Sequence, residues 1–342
     1  MMNKMKDNTT IPECMRTATI TMLHKKKDKL NLKNWRGIFV TSVLRTILMK
    51  LIHERAYKKV APNMTDSQIG AVKNKSVRNH IFILNSIISD VLSSNRKAPI
   101  DLNIMDFSQM FDSEDVSICL NALYETGVQD DTLALIYEAN KTNVIAVKTP
   151  NGLTKQCIIR KKIMQGDVIS PLVSSNMVDN NIGKMALSTG NTYMYKNIVA
   201  IPPLAMQDDT LGISLCGYRS SLMNEFLNTR TNLMNLQFGS DKCEKMHIGK
   251  IHNKDICTPL SVDVWKEEVE ENENGQKEII DKFAGRKDMK EVSHKKYLGD
   301  IISNDGKNQA NIKERCDKAL GNVNKIESTL NERPYGKYFF KA

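Results

Sequence analysis

Residues 203–214 read PLAMQDDTLGIS, which sets two adjacent carboxylates, Asp208 and Asp209, between two short apolar runs. Asp favours turns because its side chain bonds nearby backbone, so the pattern predicts a β-hairpin with acidic residues at its tip. Neighbouring carboxylates also repel each other, and a divalent cation relieves that repulsion. The same hairpin is therefore a candidate hard-metal site, provided a further carboxylate comes from elsewhere in the chain.

MDFSQMFD, residues 105–112, supplies one. The preceding PIDLNIMD, residues 99–106, alternates apolar with other residues as a strand does. Strict alternation puts Asp106 on the face of Ile100, Leu102 and Ile104, so Asp106 is expected at the strand's end, beyond the packed part. Two-metal phosphoryl transfer needs acidic ligands from separate elements around cations about 3.5–4 Å apart, and a strand end beside a hairpin tip meets that need. Between the two lies MQGDVISP, residues 164–171, where Gly166 permits close backbone approach and Pro171 suits the opening of a helix.

Periodicity extends the reading outward. Residues 40–60 and 77–94 carry apolar residues at helical spacing, as do 115–140, 218–236 and 308–330, the last with Ile312, Cys316, Leu320, Val323, Ile326 and Leu330 on one stripe. A further helix is expected from Ser170 to about Lys184. Residues 143–160 give two β-rich runs about Pro150-Asn151-Gly152, a hairpin signal. Residues 263–295, with WKEEVEENENGQKE, read as a solvated insertion or linker, and KYLGDIIS after them as a strand.

The chain of 342 residues is 41% apolar and 6% aromatic, which suits a globular fold of two or three packed units. Its net charge of +10 is concentrated between Lys25 and Arg78, as expected for a polyanion partner. No stretch approaches the roughly 18 apolar residues of a bilayer span, and MMNKMKDNTT lacks the apolar core of a secretory signal. An intracellular protein is expected, nuclear or cytoplasmic. The seven cysteines are scattered without a CxxC and the six histidines form no HExxH, which fits a reducing compartment and argues against a zinc ribbon or knuckle.

The ordered blocks resemble the reverse transcriptase domain of non-LTR, LINE-type retrotransposons over roughly residues 15–305. MDFSQMFD resembles that family's strand-end block, MQGDVISPL its Gln-Gly…Ser-Pro block, and MQDDT its aspartate hairpin. HKKKDKLNLKNWRGI, SQIGAVKNKSVRNHIFIL, LQFGSDKCEKMHIGK and KYLGDIISNDG resemble flanking blocks in the same order. The hairpin departs from the family by having Met206 and Gln207 where an aromatic and a small residue are common.

The resemblance implies an α/β, or α+β, right-hand polymerase fold with fingers and palm, an antiparallel palm sheet packed on helices, and a truncated thumb. It divides the chain into fingers with an N-terminal lead-in over 1–98, palm over 99–257, an acidic linker or insertion over 258–295, and the end of the palm with the start of a thumb helix over 296–342. It implies RNA-directed DNA synthesis with two Mg²⁺ ions, or Mn²⁺ in their place, on Asp106, Asp208 and Asp209. Lys25 and Arg36 would hold the β- and γ-phosphates, Phe111 would exclude a ribose 2′-hydroxyl, Gln165 would line the pocket over the nascent pair, and Lys242 would protonate pyrophosphate. Its partners would be an RNA template, a DNA primer or RNA–DNA hybrid, and deoxynucleoside triphosphates, with no membrane. Two other readings use the same residues: a non-catalytic mobile-element remnant that binds nucleic acid, and an RNA-directed RNA polymerase, which the aromatic at Phe111 opposes.

Overall fold

Two five-stranded sheets carry the molecule, and the candidate carboxylates lie on the second. The computed structural model describes residues 9–25, 28–31, 34–93, 98–160, 162–250, 259–271, 277–307 and 309–331. Lys26, Lys27 and Lys33 of the basic run, and the end YGKYFFKA, lie outside the described residues.

The chain opens with the antiparallel pair β1 (Thr17–His24) and β2 (Trp35–Thr41), two strands that the apolar pattern does not announce. Helix α1 (Val43–Val60) follows, capped by the Ser42 side chain, which accepts from the Arg45 N–H. Helix α2 (Val77–Ser93) leads to β3 (Ile100–Asp106), and a one-turn helix α3 (Met110–Ser113) comes next. Where periodicity predicts one helix over 115–140 there are two, α4 (Val116–Glu125) and α5 (Asp130–Asn140). Gly127, at φ 93°, takes the left-handed conformation that ends the first. Strands β4 (Thr142–Thr149), β5 (Gly152–Leu153) and β6 (Cys157–Arg160) complete the first sheet, in the order β2-β1-β4-β5 with β6 also on β4.

Pro171 stands in the first turn of α6 (Ser170–Val178), which runs through a π-helical turn, Asp179–Lys184, into α7 (Met185–Thr189). Short strands β7 (Tyr193–Tyr195) and β8 (Val199–Ile201) precede the hairpin of β9 (Leu204–Met206) and β10 (Asp209–Leu215). Helix α8 (Tyr218–Leu233) and β11 (Glu244–Ile248) come next. The expected solvated linker is instead largely a β-ribbon of β12 (Ser261–Glu271) and β13 (Lys277–Asp288), tied at its base to α8. There Arg286 pairs with Glu225 and Asp263, and Asn224 and Asn228 both donate to the Ser261 carbonyl. Strand β14 (Lys290–Glu291), the hairpin β15 (His294–Tyr297) and β16 (Asp300–Ser303), and helix α9 (Gln309–Asn331) finish the described chain.

The second sheet runs β14-β11-β3-β10-β9, with β3 at its centre. Ile100, Leu102 and Ile104 meet Leu211, Ile213, Met246 and Ile248 on one face and are covered by Leu84, Ile87, Ile88 and Val91 of α2. Each such side chain, fully buried, stabilises the fold by roughly 1.5–3 kcal/mol. The opposite face takes α8, which lies so close at Gly212 that a Cβ there would stand 3.0 Å from Leu227 Cδ1 and 3.1 Å from Met223 Cγ.

One buried cation joins the first sheet to the Gln-Gly block. Arg45 is fully buried on α1; its Nε donates to Asp167 Oδ2 at 2.9 Å, and its other nitrogens reach Asn143 Oδ1 and the carbonyls of Met15 and Ala139. The fork geometry of a guanidinium serves these acceptors at once, which a lysine ammonium cannot.

Candidate active site

Asp106 is the last residue of β3 and the only one on that strand that is not buried. Strand β10 pairs antiparallel with β3 so that Asp209 is the direct register partner of Asp106. Asp209 also faces Met206 across the β9–β10 hairpin, which leaves Gln207 and Asp208 as the two-residue turn. Only Asp208 of the pair therefore sits in the turn, while Asp209 opens the strand. The arrangement is locked by backbone bonds: Phe107 N–H donates to the Asp208 carbonyl at 3.2 Å, and Gly239 N–H to the Asp106 carbonyl at 2.8 Å. Phe107 stacks on Phe238 with ring centroids 4.8 Å apart, holding the two loops together beneath the carboxylates.

The electrostatics follow from this crowding. Burial first, then the negative charges of Asp208 and Asp106, push the Asp209 carboxyl from 3.8 to about 6, while Lys242 and Lys295 act the other way. Lys242 Nζ stands 2.5 Å from Asp106 Oδ1, so the cation expected near a triphosphate is paired with the first aspartate. Lys295, which the sequence analysis did not single out, bonds Glu244 at 2.6 Å and reaches the Lys242 carbonyl. Tyr297, two positions further on β15, is buried with its hydroxyl unpaired among the described residues, and burial together with the Asp209 charge raises its pKa. Alternation along a strand puts Lys295 and Tyr297 on one side, the signal that could have linked both to the site.

Gln207 takes φ 56°, a conformation that L side chains adopt at a cost. Its neighbour explains how a long side chain is accommodated. Segment 67–70 lies beside β9, with Ile69 N–H donating to the Ala205 carbonyl at 3.1 Å and Ala205 N–H to that of Ser67 at 2.8 Å. A Cβ on Gly70 would meet Gln207 Cγ at 3.0 Å and Ser175 Oγ at 2.7 Å, so the absence of a side chain at 70 is what admits Gln207.

The phosphate-contact candidates stand on the other sheet. Arg36 pairs with Leu23 across β1–β2, and Lys25 N–H donates to the Asn34 carbonyl at 2.8 Å. Paired residues share a face, so Lys25 and Arg36 are diagonal neighbours on one face of the hairpin, both exposed. Gln165 is joined to the same strand, its carbonyl accepting from Phe39 N–H at 3.1 Å, and Gly166, at φ 105°, packs against the Phe39 carbonyl. Phe111 is half-buried in α3. The structure thus brings Asp106, Asp208, Asp209 and Lys242 into one cluster and links Gln165 with the strand of Arg36.

Three carboxylates at the meeting of a strand end and a hairpin turn, one of them raised by burial and by its neighbours' charges, are what a hard divalent cation neutralises. By donor chemistry these residues suit such ions; among the described residues the group whose ligand atoms converge to within 4.8 Å is a different one, at the far end of the same sheet.

No family model matches the chain. It is 25% identical over 256 residues to the retrovirus-related Pol polyprotein from type-1 retrotransposable element R2 of Popillia japonica, a match that takes in 73% of this chain and 34% of that protein. The chain therefore spans about a third of the length of this relative. Among solved structures it resembles apo telomerase from Candida tropicalis truncated from its C-terminal domain, at TM-score 0.50 and 9% identity over 73% of this chain and 55% of that one. It also resembles telomerase from Candida albicans, solved with a fragment of telomeric RNA, at TM-score 0.51 and 11% identity over 71% of this chain and 44% of that one. The chain shares the mixed α/β fold of these telomerases over about seven-tenths of its length, and its sequence is similar to that of a retrotransposon Pol polyprotein.

Proposed function

We propose that the chain is a retrotransposon RNA-directed DNA polymerase of the non-LTR, LINE type, which joins deoxynucleotides to a primer 3′-hydroxyl on an RNA template. The single observation that carries this reading is the register of β3 against β10, which sets Asp106 opposite Asp209 with Asp208 in the adjoining turn. In this reading the second sheet is the palm, the first belongs to the fingers, and α9 begins the thumb.

Asp106, Asp208 and Asp209 would hold two Mg²⁺ ions, which when bound neutralise charge on the attacking and leaving oxygens. The protein's own groups do the rest. Lys25 and Arg36 clamp the β- and γ-phosphates, the guanidinium by two parallel hydrogen bonds and the ammonium as a point charge. Gln165 lines the nucleotide pocket from the turn held by Phe39 and Asp167, and Phe111 closes the space a ribose 2′-hydroxyl would need. Lys242 leaves its pairing with Asp106 and donates its proton to the departing pyrophosphate.

Extension of oligo(dT) on poly(A) with dTTP and Mg²⁺ tests the proposal. Activity is expected for the native chain, and Asp208→Asn should lose it while retaining template–primer binding. Binding without any extension by the native chain would overturn the enzymatic reading in favour of a nucleic-acid-binding remnant. Equal use of a ribonucleotide would overturn the role of Phe111.

A further inference from the structure

At the end of the second sheet away from the carboxylates, the same strands carry a second cluster of ligand atoms. Asp101 of β3 is the register partner of both His247 on β11 and Ser214 on β10, and Cys216 follows Ser214 by two positions. Cys216 N–H donates to the Pro99 carbonyl at 2.9 Å, which holds this residue against the start of β3. One ligand atom from each of Asp101, Cys216 and His247 lies within 4.8 Å of the other two. Asp101 is fully buried, His247 is 8% exposed, and Cys216 stands at the edge, partly open to solvent.

The imidazole is only half satisfied by the protein. His247 Nδ1 lies 3.0 Å from Asp101 Oδ1, whereas Nε2 is buried with no hydrogen-bond partner among the described residues. Nδ1 and Oδ1 therefore already stand near the spacing of two ligands on one zinc ion, and Nε2, on the far edge of the ring, takes no part in that contact. The second oxygen of Asp101 forms an ion pair with the buried Lys245 Nζ at 3.7 Å, a contact the carboxylate would share with a bound cation.

We propose that Asp101, Cys216 and His247 bind a zinc ion, with solvent in the fourth position on the Cys216 side. Thiolate, imidazole and carboxylate together form the donor set of Zn²⁺ and are unsuited to Mg²⁺, which takes oxygen ligands. Nitrogen and oxygen ligands of one tetrahedral zinc stand about 3.3 Å apart and sulfur slightly further, so His247 Nδ1 and Asp101 Oδ1, at 3.0 Å, are near that spacing already and the Cys216 sulfur closes by at most about 1.5 Å. Binding displaces the thiol proton of Cys216 to solvent as the Zn–S bond forms. The ion would join three strands of the sheet at the end opposite the aspartates, a structural role distinct from polymerisation.

The purified full chain, stripped with a chelator and dialysed against Zn²⁺ in excess Mg²⁺, should retain about one zinc per molecule. Cys216→Ser and His247→Ala should each weaken that retention on the order of 100-fold or more, while Asp208→Asn and Cys316→Ser, the latter at an exposed thiol on α9, leave it unchanged. Cobalt substitution gives a second reading that does not depend on affinity: the native chain should show a thiolate-to-cobalt absorption band that Cys216→Ser abolishes. Circular dichroism of that variant checks that it is folded. Failure to retain zinc, or retention and absorption unchanged in folded Cys216→Ser, would overturn the proposal whatever the polymerase assay gives.

Discussion

Asp209 ties the site to pH. Its carboxyl is raised from 3.8 to about 6 in the folded chain, so folding favours the protonated form. Its contribution to stability is complete below the unfolded value and is lost as pH rises through the folded one. In metal-free buffer Asp209→Asn should therefore melt about 2 °C above the native chain at pH 7.5 and level with it at pH 4, read by thermal denaturation. Mg²⁺ should narrow the gap at pH 7.5, and the concentration giving half-maximal extension should fall between pH 6 and pH 8 as the carboxylate forms. Gly70 sets a second expectation at this scale. Gly70→Ala would press a methyl on Gln207 Cγ and Ser175 Oγ, moving the aspartate turn. Primer extension should drop about tenfold, the equivalent of 1.4 kcal/mol in the barrier, and Gln207→Ala in the same chain should recover part of it.

Between elements, the Arg45 clamp is the feature on which the Gln-Gly turn depends. Arg45→Met leaves Asp167 buried without its cation and should lower stability by about 3–5 kcal/mol in urea unfolding, with Arg45→Lys recovering little. Asp167→Asn combined with Arg45→Met should be less harmful than Arg45→Met alone, because the stranded charge is gone. The same comparison shows where the sequence could and could not be read. The aspartate hairpin, β3 with its terminal Asp106, and the helices α1, α2 and α9 followed from period and position, but of the three stripes only that of α2 is largely packed: Val43, Leu44, Ile47 and Leu51 of α1 and Ile312, Leu320 and Val323 of α9 are exposed. Strand β3 hides Asp101 and Asn103 in the interior, where a polar residue at alternate positions ordinarily marks a solvent face. Cys216 and His247 stood too far apart in sequence to read as ligands and meet only through strand pairing. The charges of 263–295 suggested solvation, yet the apolar residues among them pair across a ribbon, Trp265 opposite Phe283 and Val269 opposite Ile279. The π turn at Asp179 has no local sequence signature; it is held from outside by Thr65, which bonds both carboxylate oxygens of Asp179.

Over the whole molecule, the excess of ten positive charges governs encounter more than fit. Affinity for an RNA–DNA hybrid, measured by fluorescence anisotropy across a salt series, should fall steeply with salt, whereas Lys25→Ala and Arg36→Ala, which act on the incoming triphosphate, should leave that log–log slope unchanged and raise the KM for dTTP. A flattened slope in either variant would instead place that cation on the duplex backbone, which separates the proposed clamp from general attraction. Among the described residues no helix is long and apolar enough to cross a membrane.

The β12–β13 ribbon is bolted to α8 at Ser261, Asp263 and Arg286, whereas Val269 and Phe283 further out are exposed. Its outer part can be trimmed like the handle of a tool whose working edge lies elsewhere. Excising Lys266–Lys282 and closing the gap with Asn-Gly should leave primer extension within about twofold, since a two-residue turn suits such a closure. Any property that does change in the shortened chain then reports on something other than the proposed site that grips the handle.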